Sequence, residues 1–286
     1  MLNLASRNFK MYFRDRAGVF FSFLAVIIIV GLYVLILGDQ IKSGVADIEG
    51  ASLMMDIWVM AGIIGVASFT TALGACGIIV EDRVKKNFKD FMSAPLYRWQ
   101  IVGGYVISAC LVALMMCAFI FVIVTVVLSL NGMPMLSFLS ILKISGVIIL
   151  AALSSGAVTL FITSFLRTNG AYGAVSTVLG TLIGFFTGMY FPIGMLSDNI
   201  QVLVKLFPTT HACVLLRKIM MEDQMAATFL NAPAEIVSDF EKQMGVVIMF
   251  GDYAGTAWLH VGVLVATVFV FSALAILNLS RKAKVC

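Results

Sequence analysis

The sequence predicts an all-α integral membrane protein, with six membrane-spanning helices forming a single domain over residues 1–286. Three observations lead there. Hydrophobic residues make up 61% of the chain, charged residues only 12%, and the mean hydropathy is +1.06, whereas soluble domains carry about 25% charge. The charges collect in short stretches between apolar runs. Those runs are long enough to cross a hydrocarbon core of about 30 Å as helices. The length suits one membrane domain and not several globular ones.

Residues 1–18 place Leu2, Ala5, Phe9, Tyr12 and Phe13 at helical spacing against Arg7, Lys10, Arg14 and Arg16. This pattern predicts an interfacial helix on an anionic leaflet. Residues 19–37 form a first span. The run exceeds a signal-peptide core and no small-residue cleavage site follows, so the span is retained. An acidic loop, 38–56, leads to a second span at 57–80.

Residues 81–100 break the apolar pattern, with seven charges in the first ten positions: Glu81, Asp82, Arg83, Lys85, Lys86, Lys89 and Asp90. Burying them all at a bilayer centre would cost roughly 20 kcal/mol, so the segment lies in water. Val84, Phe88, Phe91 and Met92 recur at helical spacing, which predicts an amphipathic helix ended by Pro95. Its apolar face needs a membrane surface or another protein to bury against.

The third span is residues 101–130, and Asn131-Gly132-Met133-Pro134 supplies a turn. Lys143 marks the edge of a fourth span, 144–166. Only Arg167, Thr168 and Asn169 separate it from the fifth, 170–196, which predicts two antiparallel neighbours. In residues 197–252 the apolar pieces are too short to cross. Pro192 and Pro208 interrupt this region, which predicts re-entrant or surface-lying helices that cap a cavity. Residues 253–280 make the sixth span, followed by Arg281, Lys282 and Lys284.

Six spans put both termini on one side. That side carries thirteen Lys and Arg against six on the other, while the acidic residues number four against eleven. The positive-inside rule therefore places both termini and the 81–100 helix in the cytoplasm. A reporter fused at Cys286 is expected to be active only inside the cell; activity only outside would overturn this topology.

Several function classes are excluded or disfavoured. A net charge of +4 does not indicate nucleic acid, because the basic residues sort by membrane side. The chain has no GxxxxGK[ST], HExxH or GxSxG motif and no paired carboxylates within a span. It is therefore not expected to be an enzyme, and any ATP must be hydrolysed by a partner. Apart from His260, no span carries an interior acid or base, which disfavours ion-gradient coupling. His260 reads as a packed or interfacial residue, and His211 with Cys213 as a coincidence, so no metal site is expected. Cys76, Cys110 and Cys117 fall in spans, Cys213 in a loop and Cys286 at the end. This spacing gives no disulfide or zinc framework, and Cys286 lacks a prenylation box.

The order Glu81-Asp82-Arg83, amphipathic helix, Ser93-Ala94-Pro95, then a polar link into Ile101-Val102-Gly103 resembles the cytoplasmic coupling segment of the type-two ATP-binding-cassette (ABC) permeases. Residues 191–212, FPIGMLSDNIQVLVKLFPTTHA, resemble the region after that family's fifth span, although Phe207 stands where Asn is more common. Glu81-Asp82-Arg83-Val84-Lys85-Lys86 also departs from the family's Glu-Arg-x-x-Gly-Thr opening.

The resemblance implies the permease subunit of an ATP-driven exporter in a plasma membrane, of bacterial type. It implies two cytoplasmic ATPase subunits holding ATP and Mg, and a second permease copy or paralogue. Docking of the ATPase would fall to Arg83, Val84, Lys86, Phe88, Phe91 and Met92. Ser176, Gly180, Gly184 and Gly188 recur every four residues, a small-residue packing face. By resemblance, the second and fifth spans line the interface and the path between two copies, giving Ser68, Thr71, Thr177, Thr181, Phe185 and Met189 as path candidates. An uncharged path suits amphiphilic cargo of the drug, peptide or glycolipid class. A gradient-driven transporter and a structural or regulatory membrane protein remain the alternatives.

Overall fold

A helix that is apolar on every side must be buried on every side, and the longest apolar run forms the axis of the molecule. The computed structural model describes residues 1–32, 50–93 and 97–282, without the side chains of Phe21, Ala25, Val26, Ile29, Val30, Leu32, Phe88, Lys89, Met92, Arg98, Ser280, Arg281 and Lys282. The remainder of the first span and most of the 38–56 loop, Pro95 and Cys286 lie outside the described residues. The elements are α1 (Leu2–Arg14), α2 (Arg16–Leu32), α3 (Ala51–Val84), α4 (Asn87–Ser93), α5 (Arg98–Leu130), α6 (Phe138–Thr163) and α7 (Asn169–Phe186). They continue with a 3-10 turn at Ile193–Met195, α8 (Asp198–Leu206), α9 (Pro208–Thr228), α10 (Ala234–Met244) and α11 (Ala257–Lys282), with a short β1–β2 hairpin (Met249–Phe250 and Tyr253–Ala254) before α11.

Four described helices are long and apolar enough to cross a membrane: Ala51–Val84, Trp99–Leu130, Phe138–Thr163 and Ala257–Leu279. Counting the bent pair Asp198–Leu206 and Pro208–Thr228 as one span makes five. α3, with 34 residues, is about 51 Å long and lies at the centre, packed by α5, α6, α9 and α7. α11 packs on α6, and α1 lies along the start of α5.

Several boundaries differ from expectation. The second span extends to 51–84 and takes Asp56, Glu81 and Asp82 into its helix. The fourth begins at Phe138, where Ser137 Oγ accepts the Ser140 N–H, so Lys143 lies inside it. The fifth stops at Phe186 instead of running to 196, because Gly188 takes φ 64° and Pro192 follows. α7 also packs along α3, not along α6 as the short connection suggested.

Residues 197–252 form short helices beside a cavity, in keeping with the re-entrant or surface-lying helices expected there, and one of them goes deep into the core. α8 and α9 meet at a 92° bend, and α9 enters the bundle antiparallel to α3. Gln224 Nε2 donates to Gly50 O at 3.1 Å near one end, and the Phe207 and Phe69 rings sit 5.4 Å apart near the other. Glycine permits the approach, since a Cβ at Gly65 would collide with Cys213 Sγ. Cys213 therefore belongs to the helical core, not to a loop. The interior also holds a cation. Arg217 is fully buried on α9, with Nη2 donating to Gly188 O at 2.9 Å and its guanidinium 4.3 Å above the Trp58 ring.

Candidate functional site

At the end of α3 that carries α4, two consecutive residues tie the helices together. Asp82 is 1% exposed. Its carboxylate accepts a bidentate pair from Arg7 of α1, Nη2 to Oδ1 at 2.7 Å and Nη1 to Oδ2 at 2.8 Å. Tyr105 Oη of α5 donates to Oδ2 at 2.6 Å and Asn87 Nδ2 of α4 to Oδ1 at 3.3 Å. Such charge-assisted, bidentate bonds are the strong class of hydrogen bond, and the Asp82 carboxylate holds the Arg7 guanidinium above its ordinary pKa.

Arg83 points the other way. Its Nη1 donates to Thr163 O, Ser164 O and Leu166 O at 3.2, 3.1 and 2.7 Å, satisfying carbonyls that the end of α6 leaves unpaired. Asn278 of α11 in turn donates to Ser164 Oγ. Asp82 thus links α4 to α1, α3 and α5, and its neighbour Arg83 links α3 to α6, which Asn278 joins to α11.

This geometry corrects the expected docking face. The amphipathic helix is not continuous from Val84: Lys86 adopts φ 65°, ending α3, and α4 starts at Asn87. Arg83 is used inside the subunit. Phe91 packs against the subunit's own core beneath the Arg7 guanidinium, 5.2 Å from its ring centroid. Val84 and Lys86 are exposed, joined by Lys85 and by the aromatics Tyr97 and Trp99. The side chains of Phe88 and Met92 lie outside the described set. Arg7, expected to face lipid headgroups, instead turns into the protein.

The second region is an open face of α7. Thr177, Thr181 and Phe185 are exposed, and a Cβ at Gly180 would meet nothing within 4 Å. Thr177 and Thr181 bond to their own helix, at Gly173 O and Thr177 O. Gly180 thus sits on a face that no part of the described chain covers. The small-residue face does not continue to Gly188, which lies past the helix end, and Gly184 is covered by Tyr190. Ser176 Oγ is buried.

On α3, Ser68 and Thr71 are buried in the core of the subunit and do not face α7's open side. Ser68 Oγ lies 3.3 Å from Ser155 Oγ of α6, and Thr71 Oγ1 donates to Ala67 O. Met189 is buried against Gly62. Between residues 54 and 80 of α3 the residues that are not buried are instead Thr70, Gly74 and Gly77, with the Tyr172 ring of α7 against Gly77 and its hydroxyl donating to Leu73 O at 2.9 Å.

The third region joins α9 to α11. His260 is not alone: its Nδ1 lies 2.7 Å from Nδ1 of His211, and His211 Nε2 donates to Lys205 O at 2.9 Å. Cys213 points elsewhere, toward Gly65, and no metal-ligating group of three occurs among the described residues. The pair fastens the inserted helix. Replacing His211 by Ala strands His260 and is expected to cost about 2 kcal/mol, read as a lower thermal midpoint of the purified chain; an unchanged midpoint would contradict it.

Nothing in the sequence pattern singled out Tyr105, Asn87, Thr70, Gly74, Arg217 or the His211–His260 contact. A phenol one turn inside a span, opposite a carboxylate at the preceding span's end, was the available signal for Tyr105.

The family model described as ABC-2 family transporter protein matches residues 44–277. The stretch covers α3 through most of α11 and leaves out α1 with Arg7. No curated protein matches the chain.

Proposed function

We propose, for a chain that belongs to the ABC-2 transporter family and is therefore the membrane subunit of an ABC transporter, that it serves as the permease half of an ATP-driven exporter of amphiphilic or lipid-like cargo. The observation that carries the reading is the join at Asp82 and Arg83. A seven-residue helix beside exposed Val84, Lys85, Lys86, Tyr97 and Trp99 is bonded through Asn87 to Asp82, and Asp82 and Arg83 tie the end of α3 to α1, α5 and α6, with α6 held in turn to α11.

The family pairs with ABC ATPase subunits. In this reading two of them, each with ATP and Mg, dock at the α4 end, which faces the cytoplasm along with both termini. Six spans then include α2 and α7. Two copies, or one copy and a paralogue, meet across the open α7 face and the Thr70–Gly74–Gly77 stripe of α3. Closure of the ATPases pushes α4, and the join tilts α3 and α5 together between two packings. Thr177, Thr181 and Phe185 offer weakly polar and apolar groups to an uncharged amphiphile.

The test is affinity purification from native membranes. An ATPase is expected at one per permease, falling at least tenfold in the Lys85→Glu, Lys86→Glu double variant and in Phe88→Asp. Retention of the ATPase in all of these, or recovery of the permease alone from wild type, would contradict the reading.

A further inference from the structure

At the end of the molecule opposite α4, α6, α9, α10 and α11 enclose a cavity of about 860 Å³. Its walls are mainly apolar, including Val147 and Leu150 of α6 and Val261 of α11, and four charges stand in it: Lys143, Lys218, Glu222 and Glu241. Among the described residues none of the four has an oppositely charged partner within 4.0 Å. Lys218 and Glu222 are one helical turn apart on α9 and still do not pair.

Exposed Trp258, lining the cavity, and exposed Phe138 at the start of α6 are aromatics of the kind that gather at a membrane interface. The cavity lies away from the open α7 face, so it is separate from the proposed path.

We propose that this cavity binds one zwitterionic phospholipid with a primary ammonium headgroup, drawn from the leaflet at that end. Charge complementarity identifies the occupant. Two ammonium groups match a phosphate, two carboxylates match a headgroup ammonium, and an acyl chain lies along Val147, Leu150 and Val261. The volume is that of sites which bury a drug-sized molecule. An anionic lipid would leave both carboxylates without a partner and facing added negative charge. A bound lipid would fill the space beside α9 and brace the inserted helix.

The experiment is native mass spectrometry of the purified full chain with phosphatidylethanolamine or phosphatidylglycerol of identical acyl composition. Wild type is expected to retain the ethanolamine lipid at least tenfold better. Lys143→Ala with Lys218→Ala lowers that retention about tenfold. Glu222→Gln with Glu241→Gln keeps lipid binding but brings the two lipids within twofold. All four residues are surface charges of the cavity mouth or wall, so the variants are expected to keep the wild-type thermal midpoint. Equal retention of both lipids by wild type, or unchanged selectivity in both double variants, would overturn the proposal. Displacement of the lipid by millimolar phosphoethanolamine would overturn its membrane source and assign the site to a soluble zwitterion.

Discussion

Asp82→Asn is expected to lower the stability of the purified chain by about 2–3 kcal/mol and to uncouple ATP hydrolysis from transport. The substitution keeps the shape and removes the charge. Tyr105 can still donate to the new amide oxygen, but Arg7 loses its bidentate acceptor. Breaking a fully buried pair costs about 3–5 kcal/mol because one charge is left stranded in the interior. The Arg7 side chain is 32% exposed and can turn to water, which sets the lower figure.

Arg7→Gln and Asp82→Asn belong to one network, so their double-mutant cycle should show a coupling of about 1–3 kcal/mol. Strict additivity would refute the network. Because Lys85, Lys86 and Trp99 are untouched, the ATPase should still bind to Asp82→Asn while transport per ATP falls about tenfold. Loss of binding instead would mean that Asp82 only shapes the docking surface.

Gly180→Leu is expected to leave the single subunit intact and to separate the two copies. Among the described residues no atom lies within 4 Å of a Cβ at Gly180, so the subunit is expected to lose no packing and its thermal midpoint should hold. At an interface built on close helix approach, the added side chain pushes the partner away. Dimer dissociation should rise at least tenfold, or about 1.4 kcal/mol, measured by mass photometry in nanodiscs.

Gly65→Leu is the internal contrast. It drives a side chain into Cys213 at the α3–α9 contact and should cost about 3 kcal/mol of subunit stability by overpacking. An unchanged dimer in Gly180→Leu would remove α7 from the interface.

The two glycines also show where sequence reading reaches its limit. Periodicity marks both as small residues in apolar helices, and it cannot say which one meets the same chain and which faces outward. Ser68 and Thr71 failed for that reason: α3 is apolar around its whole circumference, so no pattern identifies the side turned toward α7. The side is set by α9, whose insertion covers one flank of α3.

That insertion was itself hidden. The sequence predicts a re-entrant or surface-lying helix here, but Arg217, Lys218, Glu222 and Asp223 carry no sign that Arg217 is buried against Gly188 O and the Trp58 ring.

Long uniform runs were legible. Hydropathy places apolar spans at 57–80, 101–130, 144–166 and 253–280, and helices occupy each of them with shifted ends, at 51–84, 98–130, 138–163 and 257–282, while the turn at Asn131–Pro134 follows from its chemistry. The charged break after the second span was legible as a boundary, but not in detail. A positive φ at Lys86 has no signature in the sequence, and Phe91 could not be seen to pack inward until Arg7 was placed above it. Asp82 and Arg83, adjacent in the sequence, turn to opposite sides, Asp82 to α1, α4 and α5 and Arg83 to the end of α6.

The central claim is that displacement at α4 passes through Asp82 to the open face of α7. It is tested most directly by the distance between spin labels at Thr181→Cys in the two copies of the ATPase-bound complex, measured without nucleotide and with the ATPase trapped in its closed state. The account predicts a shift of several ångströms in an otherwise wild-type complex and its loss in Asp82→Asn with the ATPase still bound. A distance that ignores nucleotide in the wild-type complex, or a full shift in Asp82→Asn, would contradict it.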